Sequence, residues 1–377
     1  MNFLKNLNIF KTGGLFLIKK ISSSLPVMPI SEIHEIYPTV TKGGYEMPLN
    51  WSEINVHPIL FSNLSPYTDS QITLPTRSII LLKNSHITWK GVVFNNLKVF
   101  IPSLVSPEFE SHYNGTFILK QWVGKHLKLS KNLVFGLVYN HWASFNYYHW
   151  LIETLPRLVV LRKLYPDATI ILPFSATPYM IRTVALLGFN KTFKIPENTT
   201  VKIPQLAFVE KAGTFLHQDN QLLREVASSI ISQIVPIATK PQRRVYASRS
   251  RASCRKVANE LELLDLLYKY NFELIYFEDF NFIEQVKIMR GVDIIIGLHG
   301  ANLTNILFMQ EGTTLVELMN SFSPNLVYFQ LASYLRLGYY IIPCMPDSDS
   351  GTHNNADVLV DLLQIENTLQ SIDNSRI

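Results

Sequence analysis

The sequence predicts an α/β protein whose C-terminal half is doubly wound. Three observations carry this. Beyond residue 241, short branched-apolar runs alternate with amphipathic stretches and read β-α-β-α-β-α-β-α-β. A similar strand–helix–strand alternation lies between His149 and Val235. The 377-residue chain is 47% hydrophobic and 17% charged, which excludes intrinsic disorder and collagen-like structure and suits two domains, each with a core.

In chain order, residues 22–75 are rich in Pro, Ser, Asn and Tyr without a sustained period, and read as an irregular lead-in. Short β-like runs follow at Ser78–Leu82, Val92–Phe94, Lys98–Ile101, Thr116–Leu119 and Leu133–Val138, separated by turn residues as in a small meander. Trp150–Leu164 has helical spacing, with Pro156 expected to kink it against residue 152. Ala168–Pro173 reads as a strand, Tyr179–Leu187 as a helix ended by Gly188, and Leu206–Val209 as a strand. His217–Val235 reads as one long helix closed by Pro236, with 236–241 as a linker. The C-terminal strands are expected at Val245–Ser248, Phe272–Tyr276, Val292–Gly297, Thr314–Leu318 and Gly338–Ile342. Helices are expected at Ala258–Tyr268, Phe282–Arg290, Asn302–Phe308, Tyr328–Leu335 and Asp357–Ser371. The expected organisation is a lead-in (1–75), an α/β domain with the meander (76–236), a second α/β domain (237–350) and a C-terminal helix (351–377).

The net charge is +5, but it is not spread evenly. Residues 240–256 hold seven basic residues and no acid, leaving 27 basic against 29 acidic residues elsewhere. Such concentration suits a compact anion better than a nucleic acid, for which no further basic surface or motif is present. The two cysteines, Cys254 and Cys344, exclude a disulfide framework and favour a reducing, cytoplasmic setting. No apolar run is long enough for a membrane span, while the Lys-flanked stretch Leu4–Ile21 admits peripheral contact with the inner face of a membrane.

Four constellations could carry chemistry. In Val292–Gly312, a branched-apolar strand runs into Gly297-Leu298-His299-Gly300-Ala301 and then a helix. Ligands of doubly wound sheets bind at such strand ends, a glycine lets backbone approach a ligand, and a helix start favours phosphate. The alternative is a tight turn with a locally bonded histidine. In the basic segment, Arg249, Arg251 and Arg255 also follow a strand, and guanidinium forks suit diphosphate; a solvated loop is the alternative. His149, Glu153 and Arg157 recur at i, i+4 and i+8, giving a general base with its orienting carboxylate, or simply a surface ion pair. The aromatics at 145, 147, 148 and 150 read as a sugar-stacking floor or as core. Glu317, at a strand end, suits ribose hydroxyls or a plain cap. No metal-ligand spacing, Walker A, GxGxxG or GxSxG motif occurs, and Asp347-Ser348-Asp349 resembles DxD by letters only.

Three blocks resemble the family 61 glycosyltransferases: HWLIETLPRL at 149–158, SRSRASCRKVANELEL at 248–263, and FIEQVKIMRGVDIIIGLHGANLTNILFMQEGTTLVEL at 282–318. The resemblance implies a GT-B-type fold, two Rossmann-like domains facing across a cleft, here with a β-rich N-terminal extension. It implies an inverting, metal-independent transferase without cofactor. Such an enzyme moves a sugar from a nucleotide sugar, usually a UDP-sugar, to a glycan, surface polysaccharide or lipid-linked saccharide. On this reading Arg249, Arg251 and Arg255 grip the donor diphosphate. His299, Gly300, Ala301, Asn302 and Thr304 line its pocket, and Glu317 meets the ribose. His149 and Glu153 serve the acceptor, with Glu at 153 where some relatives have Asp, and either residue could be the base. The alternative is a nucleotide-sugar-binding protein with a degenerate site.

Overall fold

The computed structural model describes residues 28, 30–43, 46–54, 58–63, 71–104, 115–129, 133–211, 218–235, 240–347 and 355–375. The Lys-flanked N-terminus, residues 236–239 of the expected linker and Ser348-Asp349 lie outside them. The first strands are β1 (Glu32–Tyr37), β2 (Val40–Gly43), β3 (Gln71–Leu74), β4 (Arg77–Thr88), β5 (Val93–Asn95) and β6 (Lys98–Val99). Next come β7 (Lys125–Lys128), β8 (Phe135–Leu137), β9 (Thr169–Leu172), β10 (Thr192–Lys194) and β11 (Thr199–Val209). The last are β12 (Arg243–Ala247), β13 (Phe272–Ile275), β14 (Val292–Leu298), β15 (Thr314–Asn320), β16 (Gly338–Pro346) and β17 (Val358–Leu359).

The chain divides into two compact units, Met1–Thr39 with Pro75–Ala212, and Val40–Leu74 with Gly213–Ile377. The helix Asn220–Ile234 packs on the helix Phe282–Arg290 within the second unit, so the boundary expected near 236 falls inside that unit.

In the first unit one mixed sheet runs β10-β9-β8-β11-β4-β5-β6, with β1 also on β4 and β7 also on β11. The expected meander and the expected α/β segment are therefore a single sheet. Strand β11 joins them: it is parallel to β8 and antiparallel to β4, and it is longer than its apolar run because Thr199–Lys202 pair with β7. Thr116–Leu119 is not a strand but part of the helix Gly115–Val123. Leu119, Lys120 and Gln121 are good helix formers, and Ile118 docks on Val92, Phe94, Val99 and Leu104. Residues 22–75 are likewise not simply irregular. They contain β1 to β3 and the short helices Trp51–Ile54 and Pro58–Asn63, and β1 finds its partner on β4, far away in sequence.

In the second unit the sheet order is β13-β12-β14-β15-β16-β17, parallel except for β16–β17. Numbered from β12, the five parallel strands run 2-1-3-4-5, a common doubly wound order whose switch point lies between β12 and β14. Side chains alternate between faces. Ile294, Ile296, Leu298, Val316 and Leu318 belong to a core cluster with Leu263 and Leu267 of the helix Glu260–Lys269 and with Ile365 and Leu369 of the helix Leu362–Asn374. The opposite parity carries Gly297, His299 and Glu317. The stretch expected to be helical at Asn302–Phe308 is a helix of the 3₁₀ type, Ala301–Phe308. The final helix starts at Leu362, where the Asp361 carboxylate accepts from the Leu363 and Gln364 N–H groups; β17 occupies part of the stretch expected to be helical.

Candidate functional site

Two clusters emerge, one in each unit. In the second unit, Arg249 follows β12 and His299 follows β14, so both sit at the carboxyl ends of the strands that flank the switch point. Arg249 donates from Nε to the Arg255 carbonyl at 3.1 Å and from Nη2 to the Cys254 carbonyl at 3.4 Å. Arg255 holds a left-handed backbone, φ 58°, a conformation that costs a non-glycine residue about 1 kcal/mol or more and collects at functional sites. Its Nε is buried without a hydrogen-bond partner among the described residues. Burial, followed by the Arg255 charge, pulls the Arg249 guanidinium below the usual arginine range.

Three of the seven basic residues of the segment are paired with acids. Arg243 pairs with Glu273 at 2.6 Å, Arg244 with Asp373, and Arg251 with Asp279 at 2.5 Å. Arg251 also lies over the Tyr276 ring, 3.7 Å from its centroid, so it is engaged away from Arg249 rather than joined with it. Ser248 and Tyr246 donate to Glu260 Oε1 and brace the strand end. Arg249 and Arg255 have no carboxylate partner among the described residues.

His299 Nδ1 lies 2.6 Å from Glu317 Oε1, and the Tyr339 hydroxyl donates to Glu317 Oε2 at 2.6 Å. Glu317 lies within β15, not at its end, and is 0% exposed. With both oxygens occupied and no exposed surface, it cannot meet a ribose as it stands; it holds His299 instead. Gly300 packs on Arg249: a Cβ there would lie 2.3 Å from Nη1. Tyr328 donates to the Gly300 carbonyl at 2.6 Å and lies 3.3 Å from Thr304 Oγ1, so the fully buried Thr304 supports the floor and does not line the crevice. Asn302, in the turn that begins at Ala301, keeps a buried Oδ1 without a partner.

In the first unit, His149 opens a π-helical turn, His149–Thr154, that hands over to the α-helix Leu155–Arg162. The Leu155 N–H reaches the Trp150 carbonyl, an i to i−5 bond. Pro156 thus falls in the first turn of the α-helix, where a proline is tolerated, and not in the interior of one kinked helix. His149 Nδ1 lies 2.8 Å from Glu153 Oε1, and Asn140 Nδ2 donates to Glu153 Oε2 at 3.1 Å. Burial pushes the Glu153 carboxyl up, but the His149 hydrogen bond and charge, with Lys211 and Asn140, outweigh it and hold it below the usual range. Arg157 does not join this pair. It is buried and donates from Nε to the Val209 carbonyl at 2.7 Å, and burial pulls it down to about 10. Of the candidate aromatics, Trp150 is core and donates to Thr183, while Phe145 is exposed and the Trp142 ring lies 5.1 Å from His149. Among the described residues, no group of three His, Cys, Asp or Glu is placed to hold a metal, and no helix is long and apolar enough to cross a membrane.

Asn140, Tyr328 and Tyr339 escape the sequence reading. Each lies in another segment from the group it serves, and none carries a local signature.

The second unit is thus a parallel α/β sheet whose switch point carries a carboxylate-held histidine and two arginines with no carboxylate partner among the described residues, an arrangement suited to an anion. Residues 147–316 match the family model described as Glycosyltransferase 61. A stretch of 110 residues is 36% identical to an EGF domain-specific O-linked N-acetylglucosamine transferase of Drosophila melanogaster, covering 28% of this chain and 21% of the relative. The protein of that name from Rattus norvegicus is 34% identical over 108 residues, covering 26% and 20%. That from Bos taurus is 35% identical over 71 residues, covering 18% and 14%. The matches thus span about a fifth or less of the length of these relatives.

Proposed function

We propose that the protein is a glycosyltransferase that moves a sugar from a nucleotide sugar, UDP-linked, to a hydroxyl of a glycan or surface polysaccharide, with inversion and without a metal. The observation that carries this reading is the Arg249–Arg255 pair at the switch point, where Arg255 Nε and Asn302 Oδ1 are buried with no partner among the described residues. A departing nucleoside diphosphate accumulates negative charge, and preorganised guanidinium groups stabilise it with charge-assisted hydrogen bonds. In the GT-B division of labour, the second unit holds the donor and the first serves the acceptor. Glu153 holds His149 through Nδ1, which leaves Nε2 to take the acceptor proton. The acceptor oxygen bonds to the anomeric carbon as the carbon–oxygen bond to the diphosphate breaks. The electron pair leaves with the diphosphate, and a single displacement inverts the anomeric centre. We place the activity in the cytoplasm, with a lipid-linked saccharide at the inner face of a membrane as one acceptor class.

The names of the matched relatives make an N-acetylglucosamine donor the first to test. The deciding experiment is a thermal-shift screen of the full chain against nucleotide sugars, followed by a transfer and donor-hydrolysis assay with the best one. At 100 times Kd a donor adds about 2.7 kcal/mol of stability. A donor that stabilises and turns over is the expected result. A donor that binds without turnover indicates a degenerate site, and no stabilising nucleotide sugar overturns the reading.

A further inference from the structure

Strand β16 pairs with β15 along its length, but with β17 only at Met345 and Pro346. At Tyr339 its other side is taken by a side chain. The Tyr339 N–H donates to Asn50 Oδ1 at 2.8 Å, and Asn50 Nδ2 donates to the Tyr339 carbonyl at 3.0 Å. The Asn50 amide thus supplies both bonds that a neighbouring strand would have made. Around it, the Leu49 N–H donates to the Leu337 carbonyl at 3.0 Å and Tyr340 donates to Glu53 at 2.7 Å. The Trp51 ring meets Phe329 edge-on at 6.1 Å, and Phe329 meets the Tyr339 ring at 5.4 Å. The turn at 49–53 is therefore docked on the strand that carries Tyr339.

Register explains what Tyr339 does there. Leu315 pairs with Tyr339 and Glu317 with Ile341, so Tyr339 and Glu317 share a face of the sheet. Gly297 pairs with Glu317, which brings His299, two residues on, to that same face. The outcome is a continuous chain, Asn50 to Tyr339 to Glu317 to His299.

We infer that Tyr339 and Glu317 are positioning residues for His299, held in place by the Asn50 turn, which lies outside the residues 147–316 that match the family model. A carboxylate only accepts, so with Tyr339 on one oxygen the other takes the proton of His299 Nδ1. That fixes the tautomer with a bare Nε2, as a carboxylate does for an imidazole in many sites. The role of His299 toward the donor rests on the proposed function; its tautomer does not.

The test is nitrogen NMR of the full chain labelled at histidine, with the His299→Gln spectrum identifying the resonance. The expected wild-type result is His299 protonated on Nδ1. Tyr339→Phe removes one of the two hydrogen bonds that orient the buried Glu317 carboxylate, so the His299 ring resonances should shift from their wild-type positions. Asn50→Ala should shift the spectrum in the same direction by less. Both variants should also lose affinity for UDP, about ten-fold for Tyr339→Phe at the usual value of a hydrogen bond. A wild-type His299 protonated on Nε2, or ring shifts unmoved in both variants, would overturn the inference. If Tyr339→Phe fails to fold, the wild-type tautomer and Asn50→Ala decide. A protein with the expected tautomer that binds no nucleotide sugar would sink the proposed function and leave this inference standing.

Discussion

At the residue scale, His149 and Arg255 separate two tasks. His149→Ala should leave UDP binding intact and remove transfer, because it deletes the proton acceptor; general-base catalysis contributes about 100- to 10,000-fold. Arg255→Ala should instead weaken UDP by about 10- to 100-fold, the worth of a charged hydrogen bond, with the fold kept. Calorimetry with UDP beside a transfer assay distinguishes the two, and full activity in both variants would remove these residues from the site. Gly300→Ala tests the close packing on Arg249. The new methyl would lie 2.3 Å from Nη1 and 2.8 Å from Cζ, so the guanidinium must move off its carbonyl partners. UDP affinity should fall as in Arg255→Ala, with the melting temperature little changed. His299, Gly300 and the arginines were legible because they follow apolar strand runs in one local string. Which arginines remain without an acid was not legible, since Glu273, Asp279 and Asp373 are 28 to 129 positions from their partners.

At the scale of elements, periodicity located most strands and helices of the second unit to within a residue or two, as at Phe282–Arg290 and β12 to β14. It did not distinguish α from 3₁₀ at Ala301–Phe308, nor reveal the π turn at His149–Thr154. These differ by one residue in hydrogen-bond reach, a choice that packing makes. The helix after the π turn rests on β8 at Gly136, where a Cβ would lie 2.4 Å from Leu161 Cδ2 and 3.2 Å from Ile170 Cδ1. Gly136→Ala should therefore destabilise the protein by about 1–3 kcal/mol through overpacking. A urea midpoint unchanged from wild type would show that the helix moves aside freely.

At the scale of the whole molecule, stability should fall in mild acid for a nameable reason. His86 on β4 is buried against Phe94, Trp122 and His126, and burial, with Lys202 and His126, pushes it down to about 4. The unfolded chain takes a proton at this histidine below about 6.5 while the folded one stays neutral. The contribution of His86 is thus fully present above 6.5 and is lost as pH falls toward 4. His86→Phe, which keeps the ring stack, should flatten the denaturation midpoint over that range; an unchanged slope would assign the acid lability elsewhere. Charge behaves similarly at this scale: composition showed seven cations in 240–256, and folding leaves two of its arginines at the switch point without an acid among the described residues. The amino-acid sequence alone determined the α/β class, the strand ends that carry the motifs and the residue types of the site, because these depend on near neighbours along the chain. The tertiary structure decided that β11 fuses two segments into one sheet, that Glu317 is sealed beneath His299, and that Asn50 and Tyr339 support it. Those outcomes rest on strand register and on contacts between residues up to 289 positions apart, which no local period records.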